Sequence, residues 1–337
     1  MIRLLKNFFT LSRNRHPARK YNYSIFVMVF ILMAILVSCA TETPVSEPTD
    51  FPSPVIVASS TPSPVVSGFS GDRAYEDVKF QVDLGPRIPG TPAHDQMVDW
   101  MVSELEEAGW QASVQEGESH GVPIRNVVAQ RVGADSTQEW IILGAHFDTR
   151  SRADHDPDPA RWGDPVPGAN DGASGVAVLL ELARVLPPDL DKNIWLVFFD
   201  AEDDGGIDDR EWIMGSTYFV EQLTLDENAP LPDAAVVVDM IGDANLEVYL
   251  ERNSDPILSG EIWGAAEKLG YQAAIIPIPR YRMLDDHIPF RKAGIPAVDM
   301  IDFDYPYWHT VSDTVDKVSA ESLQMIGDTL LLWLMEP

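Results

Sequence analysis

Asn193-Ile194-Trp195-Leu196-Val197-Phe198-Phe199 runs directly into Asp200-Ala201-Glu202-Asp203. The first part is almost wholly apolar and rich in β-branched and aromatic residues, so it reads as a strand buried on both faces. Glu202 and Asp203 then stand side by side at its carboxyl end. Two adjacent carboxylates repel each other unless a cation or a proton lies between them. A metal ion would take one and leave the other as a general acid or base. The competing reading is a solvated acidic turn, and Asp204, Asp208 and Asp209 just beyond support it.

Four other segments repeat the pattern. They are Gly144-Ala145-His146-Phe147-Asp148, Gly168-Ala169-Asn170-Asp171-Gly172, Val238-Asp239-Met240 and Tyr307-Trp308-His309-Thr310. His146 follows a strand-like run, and Asp148 two residues on could fix its tautomer through the other ring nitrogen. Asp171 sits among glycines that let backbone approach a ligand; it could equally cap the helix that follows. Asp239 interrupts a valine-rich run and needs a partner if buried. His309 lies between Trp308 and Thr310, with Asp313 nearby. Strand ends of an open α/β sheet converge on one crevice. Metal-type donors repeated at such ends therefore point to one zinc site.

Working outward, Thr91-Pro92 opens a helix that Gly109 closes, with Met97, Trp100, Met101 and Leu105 on its inner face. Strands are expected at 126–131, 139–143, 193–199, 234–241 and 296–301, with a shorter one nearer an edge at 246–250. Helices are expected at 173–186, 256–269 and 320–334. Strands alternating with helices make an α/β fold: a single domain with a mainly parallel mixed central sheet covered by helices on both faces. The polar insertion Arg150 to Asp164 is expected to shape the mouth of the site as a mobile lid, with a calcium loop as the lesser alternative.

The ends of the chain are different in kind. Arg3, Lys6, Arg13, Arg15, Arg19 and Lys20 precede an uncharged apolar stretch, Ser24 to Ser38, that is short for a membrane span. Leu36-Val37-Ser38-Cys39 resembles the lipobox of bacterial lipoproteins, and Cys39 is the sole cysteine. The resemblance implies a signal peptide at 1–38, lipidation of Cys39, and export to the outer side of a bacterial cell membrane. The other reading is an ordinary signal segment with an idle cysteine. Residues 39–71, rich in Pro, Ser and Thr, form an extended tether, and 72–337 the catalytic domain. A net charge of −29, from 53 acidic and 24 basic residues, excludes a nucleic-acid partner, which needs a basic footprint.

The order His146, Asp171, Glu202-Asp203, Asp239, His309 resembles the zinc aminopeptidase superfamily that also holds the glutaminyl cyclases. The likeness runs from Leu84-Gly85-Pro86-Arg87-Ile88-Pro89-Gly90 through most of the domain. For an aminopeptidase it implies Asp171 bridging two zinc ions, with His146 and Asp239 on one side, Asp203 and His309 on the other, and Glu202 as general base. For a cyclase it implies one zinc on Asp171, Asp203 and His309. Glu202 would then shuttle the proton, and Asp239 and Asp285 would form a carboxylate network. Asp285-Asp286-His287-Ile288-Pro289-Phe290 and Pro306-Tyr307-Trp308-His309-Thr310 resemble cyclase segments, with Trp308 walling the substrate pocket and Trp212 the candidate for a second pocket tryptophan. Two departures stand against this: Asp203 replaces the usual Glu, and Gly205 to Met214 does not follow the cyclase pattern. The expected activity is cyclisation of N-terminal Gln on peptides or proteins, with metallo-aminopeptidase as the alternative. A catalytically dead binding lipoprotein would have lost Glu202 or a donor, and none is missing.

Overall fold

A computed structural model describes residues 68–131, 139–226 and 228–336. The signal peptide, Cys39 and nearly all of the tether lie outside the described residues. The fold begins slightly before the expected boundary. Phe69 is buried, Ser70 caps the first helix, and α1 spans Gly71–Asp83.

The central sheet has six strands in the order β1-β2-β4-β3-β5-β8. They are β1 (Gln111–Ser119), β2 (Val122–Arg131), β3 (Trp140–His146), β4 (Asn193–Phe199), β5 (Ala234–Asp239) and β8 (Ala297–Ile301). The β3–β4, β3–β5 and β5–β8 pairs are parallel; β1–β2 and β2–β4 are antiparallel. The remaining strands, β6 (Val248–Leu250) and β7 (Ile275–Pro279), form a separate parallel pair. The strand expected at 246–250 is therefore shorter, and it lies beside the main sheet instead of at its edge.

Period-two alternation assigns each strand residue to a face. Ala234, Val236 and Val238 of β5 join the larger core, as do Ile194, Leu196 and Phe198 of β4. There they meet α1, α2 (Pro92–Glu107), α3 (Ala173–Val185), α5 (Pro256–Leu269) and α7 (Ala320–Met335). Ala235 and Val237 of β5, with Val197 and Phe199 of β4, face the smaller core. Phe219 of α4 (Met214–Leu223) and Phe290 of α6 (His287–Lys292) cover that side. Helices thus lie on both faces, and the unbroken apolar runs Ile194–Phe199 of β4 and Ala234–Val238 of β5 are what two covered faces require.

α2 begins as its sequence dictates: Thr91 accepts from His94 N at 3.3 Å, with Pro92 in the first turn. Trp100, expected in the core, is half-buried and packs on Phe80 with ring centroids 4.5 Å apart. α3 is buried on nearly every side, so its apolar pattern has no polar face.

Candidate functional site

Parallel register brings three strand ends to one level. His146 pairs with Phe199, and Gly144 with Val237. β3 therefore ends on His146, β5 ends on Asp239, and β4 leads into Glu202-Asp203 at the same edge. Expected strand ends at 143 and 241 shift to 146 and 239, which makes both donors the last residues of their strands.

All five expected donors meet. His146 Nε2 lies 3.0 Å from Asp171 Oδ1 and 3.2 Å from Asp239 Oδ1. His309 Nε2 lies 2.8 Å from Asp203 Oδ1 and 3.8 Å from Asp171 Oδ2. Asp171 thus presents one oxygen to each histidine, and two three-donor groups share it. All five side chains are buried. Asp171 Oδ2 and Asp203 Oδ2 have no hydrogen-bond partner. Two ligands of a tetrahedral zinc stand roughly 3.3 Å apart, given bonds of about 2 Å. These separations, and the unpartnered carboxylate oxygens, fit a divalent cation.

Electrostatics agree. Burial pushes the carboxyls of Asp203 and Asp239 above their usual range, and Asp171 beside both adds to the rise. Burial also raises Glu202 well above its ordinary value, reinforced by Asp203 and Asp285. Asp285 is pushed up to about 7 by burial and then by Asp239. Burial drives the His309 imidazole down to about 3, which leaves the ring neutral. Burial also works against charge on His146, but Asp148, Asp171 and Asp239 outweigh it and raise that ring well above its usual value. Four carboxyls raised together mark a place where mutual repulsion favours either protons or a cation.

Backbone chemistry holds the donors. Asp148 was expected to orient His146; its Oδ1 is 3.5 Å from His146 Nδ1. Its closer contacts are elsewhere: Glu202 N donates to Oδ1 at 3.0 Å and Asp203 N to Oδ2 at 3.2 Å. Asp148 therefore chiefly clamps the 202–203 turn. Ala201, Met240 and His309 have φ of 52°, 47° and 56°, left-handed conformations that are strained for residues with a Cβ. Each is a donor or adjoins Glu202 or Asp239. Asp171 does not cap α3, whose first turn has no side-chain cap. Gly172 has a packing reason, since a Cβ there would stand 2.6 Å from His146 Nε2.

A cleft of about 200 Å³ opens over this cluster. Glu202, Asp239 and Asp285 line it beside the donors, and Trp212, Trp308 and Phe303 make its aromatic wall. Trp308 stacks on His309 at 3.8 Å, and Trp212 lies parallel to the same ring at 6.0 Å. Trp212 packs flat on Gly205, where a Cβ would be 2.0 Å from the indole. A larger groove of about 770 Å³ runs between α5 and β7, but it contains none of the five donors.

Several contacts around the site were not foreseen from the sequence, although Arg150 opens the polar insertion and His287 stands in the stretch that resembles a cyclase segment. Arg150 donates to Asp203 O at 2.6 Å, grips Asp154 through two 2.7 Å bonds, and lies over the Trp212 ring at 5.0 Å. Val311 N donates to Asp156 at 3.1 Å and Trp162 Nε1 to Asp156 O at 2.7 Å, so the 150–164 loop is hydrogen-bonded both within itself and to the 307–313 segment beside the site. His287 lies between Glu251 at 3.3 Å and Asp299 at 3.7 Å, behind Asp285. Asp299 stands in the apolar run Ala297–Ile301 and carries the same signal that marked Asp239; Arg150 and Glu251 carry no such signal.

Comparison with known proteins gives concordant matches. The profile of Peptidase family M28 matches residues 126–334. The crystal structure of Porphyromonas gingivalis glutaminyl cyclase superposes with a TM-score of 0.74 at 35% identity, over 79% of this chain and 98% of that one. A leucine aminopeptidase precursor from Bacteroides thetaiotaomicron gives a TM-score of 0.75 at 32% identity, over 81% and 99%. Aminopeptidase YwaD of Bacillus subtilis is 32% identical over 48% of this chain, a match that spans 36% of its own length.

Proposed function

The chain belongs to peptidase family M28, and within it we propose that it is a zinc-dependent glutaminyl-peptide cyclotransferase acting on peptide or protein N-termini. The observation that carries this reading is the small aromatic-walled cleft, with Glu202, Asp239 and Asp285 beside the donor cluster. The likeness to a bacterial glutaminyl cyclase over 98% of that chain supports it.

Asp171, Asp203 and His309 would hold the zinc. When bound, the ion would polarise the γ-carbonyl of an N-terminal glutamine and stabilise negative charge developing on its oxygen. Trp308 and Phe303 would enclose the glutamine side chain and exclude water that could hydrolyse it. Glu202 would take a proton from the α-amine as its nitrogen attacks the carbonyl carbon (Cδ) of the side-chain amide. As the old carbon–nitrogen bond breaks, Glu202 would return that proton to the departing ammonia. Asp239 and Asp285 would share the buried charge of this exchange.

A metallo-aminopeptidase is the second reading, and one observation favours it. The two oxygens of Asp171 face different histidines, so His146 and Asp239 could hold a second ion. Glu202 would then take its proton from an attacking water. A paired assay on one purified sample tests both. A Gln-initiated peptide is scored for pyroglutamate and ammonia, aminoacyl amides for hydrolysis, and bound zinc is counted. Cyclisation with a single zinc supports the cyclase; hydrolysis with two replaces it by the peptidase.

We also propose that the protein is exported and held to the bacterial membrane by lipid on Cys39, on the strength of the lipobox-like Leu36-Val37-Ser38-Cys39.

A further inference from the structure

Leu84 to Gly90 supplies no donor to the cluster, yet its arginine is completely enclosed. Arg87 aims its fork at backbone. Nη1 donates to Pro167 O at 2.6 Å, Nη2 to Gly168 O at 2.6 Å, and Nε to Phe147 O at 3.3 Å. Phe147 directly follows His146, and Pro167-Gly168 lead into Asp171. One guanidinium therefore joins the two segments that deliver these donors. The seat is tight: at Gly168, whose φ is +68°, an added Cβ would lie 2.9 Å from Nη2.

The far end of the same loop hangs from a buried carboxyl group, Asp313, which burial and then Asp171 push up to about 7. Asp313 Oδ1 accepts Asn170 N at 2.9 Å, its Oδ2 accepts Asp171 N at 3.2 Å, and Tyr305 Oη donates to it at 2.6 Å. The carbonyls go to a group that can only donate, and the amides to the two oxygens of a carboxyl, both of which accept here. Burial lowers the Arg87 guanidinium to about 10, with Asp313, Asp148 and Asp171 opposing the drop. It stays charged at neutral pH. An enclosed charge is expensive, and these three bonds go to carbonyls, not to a carboxylate.

We propose that Arg87 and Asp313 are positioning residues for the metal site. Together they suspend the 167–171 loop so that Asp171 faces both histidines. The inference rests on the metal-dependent reading above. Lysine could not reproduce it, because a single ammonium lacks the planar fork that spans three carbonyls.

The test compares full-length holoprotein with Arg87→Lys, Arg87→Ala and Asp313→Asn. Metal affinity is measured by chelator competition, geometry by the visible absorption of the cobalt-substituted protein, and folding by circular dichroism. The folded variants should lose roughly 10–100-fold in metal affinity, the range for residues that orient ligands, with an altered cobalt spectrum. Free guanidinium should partly restore affinity in Arg87→Ala, and methylammonium should not. A folded Arg87→Lys protein with wild-type affinity and cobalt spectrum overturns the proposal. If the Arg87 variants do not fold, the same result in Asp313→Asn overturns it. A wild-type protein that binds no divalent metal sinks the metal-dependent reading and this one with it; wild-type binding with unchanged variants sinks only the positioning role.

Discussion

Glu202 is the residue whose chemistry can be separated from its surroundings. Its backbone N–H is held by Asp148, and its side chain lines the cleft without belonging to either three-donor group. Glu202→Gln preserves shape and removes the proton carrier. Turnover should fall by roughly 10²–10⁴-fold, the usual contribution of general acid–base catalysis, while metal content stays at the wild-type level. Kinetics and metal analysis of one preparation check this, and a variant with full activity refutes the role. Gly172 gives the complementary case. A methyl there enters the space of His146 Nε2, so Gly172→Ala should lose metal and activity together.

At the scale of elements, α3 unites the site with the core. It starts beside Asp171 and is buried along nearly its whole length. Leu179→Ala should therefore cost about 2–5 kcal/mol, the range for deleting a fully buried leucine side chain. Urea denaturation reads the loss, and activity per folded molecule should hold. How far such elements were legible depends on burial. β4 and β5 announced themselves because both faces are covered and every position is apolar apart from Asn193 and Asp239 at their polar ends. β1 was missed because it is a polar outer strand; the left-handed turn at His120 and Gly121 joins it to β2. β7 was obscured by Pro277 and Pro279, and α6 by its brevity. The donors were legible because carboxylates and histidines at apolar strand ends are costly unless they share a purpose. Arg87 was not, since nothing in its neighbours foretells a guanidinium that spends its bonds on carbonyls.

At the scale of the molecule, two properties reach beyond the site. Metal bound by the folded chain but not the unfolded one adds stability by mass action. Exhaustive chelation should abolish activity and lower the melting temperature, and added zinc should restore both; a melting curve indifferent to metal would contradict the donor cluster. The anchoring proposal is checked by Cys39→Ser, which should move the protein from the membrane fraction to the soluble one. Among the described residues no helix is long and apolar enough to cross a membrane.

The left-handed residues at 201, 240 and 309 set a trap for protein engineering. A left-handed backbone costs of order 1–3 kcal/mol in a residue with a Cβ, and glycine is the usual remedy. Here that remedy fails at two of the three positions. Met240 is buried against Ile301 and Tyr305, and His309 is buried beneath Trp308, so glycine at either would empty space that a side chain fills. At 309 it would also delete a donor, and with it the stability that bound metal adds. Only at Ala201 does the exchange remove no more than a methyl group, so a designer who relaxes every left-handed turn by rule would soften this molecule where it is most tightly built.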